Sequence, residues 1–122
     1  MNNDFLIVKN MKVFINDINK ILINYPRCEY VIKNKIEETS LDILEYIYYA
    51  NNIKELDKKN DIRKLILAKI SMLDYYLEYS FKKKYITEKL LYKKSQQLDT
   101  ITKLLYGWLR SDNKCLWFIR CI

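Results

Sequence analysis

The residues with the clearest potential for chemistry are basic side chains in the last third of the chain. Residues 81–110 carry eight of them against Glu88 and Asp99, and so hold most of the net charge of +7. The eight are Lys82, Lys83, Lys84, Lys89, Lys93, Lys94, Lys103 and Arg110. A cation that contacts a phosphate displaces a counterion and adds sequence-independent affinity for nucleic acid. The pattern predicts a nucleic-acid-binding surface made of these eight residues.

Helical spacing groups part of this set on one face. Lys89, Lys93, Lys103 and Arg110 are separated by close to whole helical turns, with the hydrogen-bonding residues Gln96 and Thr100 between them. The alternative is an ordinary solvated surface in a lysine-rich protein, and the sequence leaves both open. Nearby tyrosines are suited to stacking on bases, but we expect them to lie half-buried at helix or subunit edges. They are Tyr79, Tyr85, Tyr92 and Tyr106.

Catalytic chemistry finds little support. The chain has no histidine, so it has no histidine base for a serine or cysteine nucleophile and no histidine metal ligand. Its acid pairs, Glu37–Glu38 and Asp57 with Asp61, are commonplace on helices. The odd count of cysteines (Cys28, Cys115, Cys121) indicates reduced thiols rather than a zinc site. We expect a protein that is not an enzyme and has no cofactor or metal.

The scarcity of turn residues favours an all-α fold. One glycine and one proline in 122 residues cannot supply the turns of a β-sandwich, nor the glycines of a phosphate-binding loop. The length corresponds to one domain. No apolar run approaches the roughly 20 residues of a membrane helix, and the N-terminus is unlike a secretion signal, so we expect a cytoplasmic protein without a membrane partner.

Apolar residues recur at steps of three and four in four segments. The first includes Val8, Met11, Ile15, Ile18 and Leu22 and should end before Pro26. The second ends at Asn51–Asn52, and the third runs from about Lys54 to Ser80. Thr87 should cap the fourth, with Ile86 and Leu91 placed for a hydrophobic staple. The seam of the fourth helix holds Leu91, Leu98, Ile101, Leu105 and Trp108, interrupted by Lys94.

These segments predict an up-down-up-down four-helix bundle over residues 1–110, followed by a short C-terminal tail, residues 111–122. The tail is apolar from Cys115 to Ile119 and too short for a bundle helix, so it either folds back or docks on a partner. In the first helix, several apolar residues lie off the main stripe and are candidates for burial against neighbouring subunits. They are Phe5, Leu6, Ile7, Phe14 and Ile23.

A family resemblance rests on short motifs in order. The segment Tyr25-Pro26-Arg27-Cys28-Glu29-Tyr30 resembles the start of the second helix in the accessory variability determinant family of diversity-generating retroelements. Three further features are similar to that family. They are the second helix with Leu41, Leu44, Ile47, Ala50 and Asn51, the third helix with Ile62, Leu65 and Leu73 spaced to Tyr85-Ile86, and the closing Gly107-Trp108 helix. The resemblance covers about residues 5–111.

The resemblance implies a non-catalytic, basic, homopentameric four-helix bundle. Such a protein binds the retroelement's reverse transcriptase and supports mutagenic cDNA synthesis from template RNA. Two alternatives stay open. One is the related four-helix family encoded by intervening sequences of ribosomal RNA genes, and the other is a homo-oligomeric interaction protein with no nucleic-acid role, whose lysines serve solubility.

Overall fold

The computed structural model describes the backbone of residues 3–121 and the side chains of residues 6–112. Helix α1 spans Asn3–Leu22, and the chain then turns through Tyr25 and Pro26 into a short 3-10 helix, Arg27–Glu29. Helix α2 spans Tyr30–Asn52, α3 spans Leu56–Lys82 and α4 spans Glu88–Cys121. The described chain is therefore helical apart from short connections, as predicted.

The helices form a closed ring of neighbours. Helix α2 packs on α1 and α3, and α4 packs on α3 and back on α1. Because short connections join consecutive helices, each helix runs antiparallel to both of its neighbours. This arrangement confirms the predicted up-down-up-down bundle.

Local signals set the ends of the helices. Helix α1 stops four residues before Pro26, and the backbone N–H of Tyr25 donates to the carbonyl of Leu22 at 3.1 Å. At the start of α4, the Thr87 hydroxyl accepts a hydrogen bond from the backbone N–H of Leu90 at 3.1 Å. Thr87 is therefore the predicted N-cap, since it satisfies a donor that the first turn leaves without a helical partner.

The core is aliphatic and lies along the bundle axis. Trp108 is 4 % exposed and belongs to it, as the seam of α4 predicted. The fully or almost fully buried apolar residues include Ile18, Leu22, Ile43, Ile47, Ile66, Leu73, Leu77, Leu98, Ile101 and Leu105. On α2, α3 and α4, the side that the apolar repeat identified is thus the side that packs.

Two residues of α1 correct the sequence analysis. Ile7 and Phe14 were assigned to an outer face for neighbouring subunits, yet both are completely buried in the core of the bundle. The buried stripe keeps the predicted Met11 and Ile18, but Ile7 and Phe14 take the places predicted for Val8 and Ile15, which are only partly buried. Leu6 and Ile23 are exposed as expected. The Phe5 side chain lies outside the described residues.

A buried arginine joins α3 to α4. Arg63 has no exposed surface, its Nη1 lies 2.8 Å from Oδ2 of Asp112, and its Nη2 donates to Oδ1 of Asn60 at 3.0 Å. Its guanidinium lies 4.6 Å from the ring centroid of Trp108, and Lys59 lies 5.3 Å from the same centroid. Trp108 is therefore in contact with two cations as well as with the core.

The last segment continues a helix. Helix α4 extends to Cys121 without a break at residue 111. Residues 111–121, which the sequence predicted to form a separate tail, are the end of α4. The prediction that this segment folds back or docks on a partner depends on side chains that lie outside the described residues. None of the described helices is both long and apolar enough to cross a membrane.

Candidate nucleic-acid interface

The α3–α4 connection places three of the predicted lysines at the end of α3. The backbone N–H of Tyr85 donates to the carbonyl of Ser80, and that of Lys84 donates to Phe81, both at 2.9 Å. This pair of bonds is a Schellman motif, which requires a left-handed residue one position after the helix cap. That residue is Lys84, with φ of 66°. Lys82, Lys83 and Lys84 are all exposed.

Helix α4 presents the second group of cations. Lys89, Lys93, Lys103 and Arg110 are all exposed, as the helical spacing predicted. From residue 89 to residue 110 the helix rises about 32 Å, a length that spans roughly nine phosphates of one duplex strand. Lys103 is also within 3.0 Å of Asp99, a pair that solvent screens because both side chains are exposed.

Lys94 does not belong to the exposed surface. It is 1 % exposed and lies in the α1–α4 interface, where its Nζ is 3.4 Å from Oδ2 of Asp17 and donates to Oε1 of Gln97 at 2.9 Å. The Nε2 of Gln97 donates to the same Asp17 oxygen at 3.1 Å. The interruption that Lys94 makes in the apolar seam is thus a small polar network between two helices.

Burial and charge act in opposite directions on this network. The hydrogen bond from Gln97 and the charge of Lys94 lower the pKa of Asp17 below 3.8, although burial opposes them. Burial lowers the pKa of Lys94 below 10.5, against the effect of the Asp17 carboxylate. Asp17 is therefore ionised at neutral pH and compensates an ammonium that has lost most of its water.

A concavity of about 210 Å³ adjoins the network on the outer side of the α1–α4 interface. Three lysines and one carboxylate line it, together with two apolar side chains. The lining residues are Asp17, Lys20, Ile21, Leu90, Lys93 and Lys94. The site carries a net positive charge and connects the exposed cations of α4 to a lysine of α1.

Two of the four tyrosines are half-buried as expected, and two are exposed. Tyr92 and Tyr106 are exposed by 66 % and 47 %, whereas Tyr79 and Tyr85 are half-buried. The Tyr85 ring packs 5.5 Å from that of Tyr25, which ties the α3–α4 connection to the end of α1. Tyr92 accepts a hydrogen bond from Gln96 at 2.9 Å, so it lies among the α4 cations.

The opposite edge of α4 has the reverse charge. A groove of about 600 Å³ between α3 and α4 is lined by three carboxylates, three hydroxyl residues and three larger side chains, namely Asp74, Glu78, Asp99, Ser71, Ser95, Thr102, Leu67, Ile70 and Tyr106. Burial, Glu78 and Asp99 raise the pKa of Asp74 above 3.8. A polyanion would be repelled there, so the cationic surface is bounded on the α3 side.

The described side chains offer little catalytic or metal-binding geometry. No group of three or more His, Cys, Asp or Glu residues among them is arranged to hold a metal ion. Of the acid pairs, Glu38, Asp57 and Asp61 are exposed and Glu37 is half-buried. Cys28 is an exposed free thiol in the 3-10 helix.

Three residues around Lys94 were not identified from the sequence. Asp17 and Lys20 have no local spacing that links them to Lys94, because α1 and α4 meet only in the tertiary structure, whereas Gln97 lies three positions after Lys94 on the same helix. The available signal was a lysine at a core position, which requires a nearby acceptor or carboxylate to be buried.

Comparison with known proteins indicates the fold. No protein-family model matches the sequence. No curated protein matches it. Among solved structures, the chain is similar to a protein of unknown function from the S23 ribosomal protein family of Bacteroides thetaiotaomicron. The TM-score is 0.78 at 21 % identity, over 88 % of this chain and 98 % of the other. The chain thus shares its four-helix fold with that protein.

Proposed function

We propose that this chain is a non-catalytic four-helix protein that binds RNA through the cationic surface of α4 and the α3–α4 connection. Of the two families considered from the sequence, the structural likeness supports the one encoded by ribosomal RNA intervening sequences better than the retroelement family. Membership of that family is itself part of the proposal, since the likeness is a likeness of fold.

The observation that carries the proposal is the one-sided distribution of charge on α4. Seven exposed cations occupy the α3–α4 connection and the outer face of α4, namely Lys82, Lys83, Lys84, Lys89, Lys93, Lys103 and Arg110. The groove on the α3 side of the same helix is lined by three carboxylates. A surface that serves solubility alone needs no such separation, since interspersed charges serve equally well.

A matched pair of triple variants tests the location of the surface. Lys89→Gln, Lys93→Gln and Lys103→Gln remove three charges from α4. Lys35→Gln, Lys54→Gln and Lys58→Gln remove three exposed charges from α2, the α2–α3 connection and α3. In a mobility-shift assay with single-stranded RNA, the first set should weaken binding by tenfold or more beyond the second. Equal losses in the two sets would contradict the proposal.

A second candidate is a homo-oligomeric interaction protein without a nucleic-acid role. Exposed apolar side chains on α2 and α3 favour it, among them Leu41, Tyr49, Met72 and Tyr75. Light scattering would give the oligomeric state, for which the sequence resemblance implies five copies. An oligomer that leaves RNA unbound at low salt would favour this candidate over the RNA-binding one.

The finer hypothesis of a reverse-transcriptase partner rests on the sequence resemblance. Co-purification tests it directly, with the chain and a retroelement reverse transcriptase expressed together. Retention of the polymerase at moderate salt would support that partner, and its loss in the wash would count against it.

A further inference from the structure

We propose that the concavity between α1 and α4 is a binding site for a single phosphate group, held by Lys20 and Lys93 beside the buried charge of Lys94. The inference rests on the proposed function and deepens it, since it names where a phosphate of the RNA is held. Its distinguishing feature is that a buried, oriented lysine forms part of the wall, whereas the other described cations of α4 are exposed, namely Lys89, Lys93, Lys103 and Arg110.

The charges in the concavity are not balanced. Three ammonium groups line it against the one carboxylate of Asp17. Among the ion pairs formed by described side chains, Lys94 has Asp17, while Lys20 and Lys93 have none. An anion with two or more charges would complete the balance, and phosphate oxygens are well matched to ammonium donors.

The polar network fixes the position of one positive charge beside the concavity. Asp17 and Gln97 each take one contact from the Lys94 ammonium, at 3.4 Å and 2.9 Å. The ammonium also lies 5.5 Å from the centroid of the buried Phe14 ring, so Lys94 contributes its positive charge to the concavity rather than a free donor. Because the Lys94 stem is buried, its head loses little conformational freedom on binding, unlike the free lysines beside it.

The concavity has room for one phosphate, and the charge of its lining favours that group. A volume of about 210 Å³ corresponds to roughly seven water molecules, and Ile21 and Leu90 supply its apolar walls. The shared ligand chemistry is a phosphate, either a phosphodiester of bound RNA or a free phosphate. The two sources are separated by testing an oligouridylate and inorganic pyrophosphate in parallel.

The test measures both probes by NMR titration of the full chain, following the backbone amides of Ile21, Lys93 and Lys94. The pocket variant is Lys20→Gln with Lys93→Gln, and the control is Lys9→Gln with Lys12→Gln, two exposed lysines of α1 outside the concavity. Pyrophosphate should shift these amides saturably, and the pocket variant should weaken its binding about tenfold while the control leaves it unchanged.

The Asp17→Asn variant tests whether the residues of the concavity bind a phosphate or only stabilise the contact between α1 and α4. Removing the carboxylate leaves the concavity more positive, so pyrophosphate should bind roughly fivefold more tightly. The variant should still fold, since Asn retains the hydrogen-bonding oxygen. Weaker binding by folded Asp17→Asn would overturn the proposal, because a phosphate held by the positive charge of the concavity gains from the loss of a carboxylate.

The two probes distinguish failure of the phosphate site from failure of the RNA-binding proposal. If the oligouridylate binds but the pocket variant loses no more than the control, the phosphate site is wrong and the RNA-binding proposal stands. If pyrophosphate binds in the concavity and RNA does not, the site stands for a free phosphate and the RNA-binding proposal falls. Absence of any saturable shift with either probe overturns the site.

Discussion

The Arg63 guanidinium and the Asp112 carboxylate form an ion pair of 2.8 Å that fastens α4 to the first turns of α3. The arginine is fully buried and Asp112 is largely covered, so neither partner is well solvated. Loss of one partner leaves a buried charge without compensation, which costs more free energy than the pair itself contributes.

We therefore expect Asp112→Ala to lower the free energy of unfolding by about 1–3 kcal/mol, the effect being smaller than for a fully buried pair. Urea denaturation measures it. Asp61→Ala, an exposed acid of α3, should change stability by less than about 0.5 kcal/mol. The apolar pair Arg63→Met with Asp112→Leu should recover most of the loss. Equal effects of Asp112→Ala and Asp61→Ala would show that the ion pair contributes nothing.

The Asp17–Lys94 pair predicts an acid-dependent stability. The pKa of Asp17 is lowered in the folded protein, so its contribution is complete above the unfolded value near 3.8 and is lost as the pH falls through the folded pKa. The difference in unfolding free energy between wild type and Asp17→Asn should be constant from pH 7 to about pH 5 and shrink at lower pH. A difference that stays constant down to pH 2 would be inconsistent with this pair.

Lys84 predicts a stabilising substitution. A non-glycine residue in the left-handed region carries a steric cost that glycine avoids. Lys84→Gly should therefore raise the free energy of unfolding by up to about 1 kcal/mol, as measured by thermal denaturation. Lys83→Gly is the matched control, since Lys83 has φ of −82° and gains nothing from glycine. A destabilised Lys84→Gly protein, or equal effects at the two positions, would argue against the strain.

The acidic groove between α3 and α4 predicts a second stabilising change. The pKa of Asp74 is raised by burial and by its acidic neighbours, so the ionised carboxylate opposes folding at neutral pH. Asp74→Asn should raise the free energy of unfolding by about 0.5 kcal/mol at pH 7, with the gain vanishing as the pH falls and wild-type Asp74 is protonated. A gain that is unchanged at pH 3 would show that charge is not its cause.

Much of the fold was accessible from short-range patterns. Pro26 and Thr87 mark the end of α1 and the start of α4 because the backbone constraint or hydrogen bond that each imposes is local. The seam position of Trp108 follows from the apolar repeat alone. The burial of Ile7 and Phe14 was missed because α1 has apolar residues on two adjacent stripes, and only contact with the other helices decides which one faces inward.

The site was predicted less completely than the fold. The exposed cations of α4 follow from helical spacing, since each faces away from the seam. The role of Lys94 does not, because its partner Asp17 is remote in sequence and is brought to it by the pairing of the first and last helices. The positive concavity, which also needs Lys20 of α1, is a tertiary feature for the same reason.

The affinity of the full chain for single-stranded RNA as a function of salt tests the central claim most directly. If five of the seven exposed cations contact phosphates, the logarithm of the association constant should fall with a slope of about −3.5 against the logarithm of salt concentration. Raising salt from about 50 to about 200 mM should then weaken binding about a hundredfold. RNA that stays unbound at the lowest salt, or an affinity that salt leaves unchanged, would contradict the account.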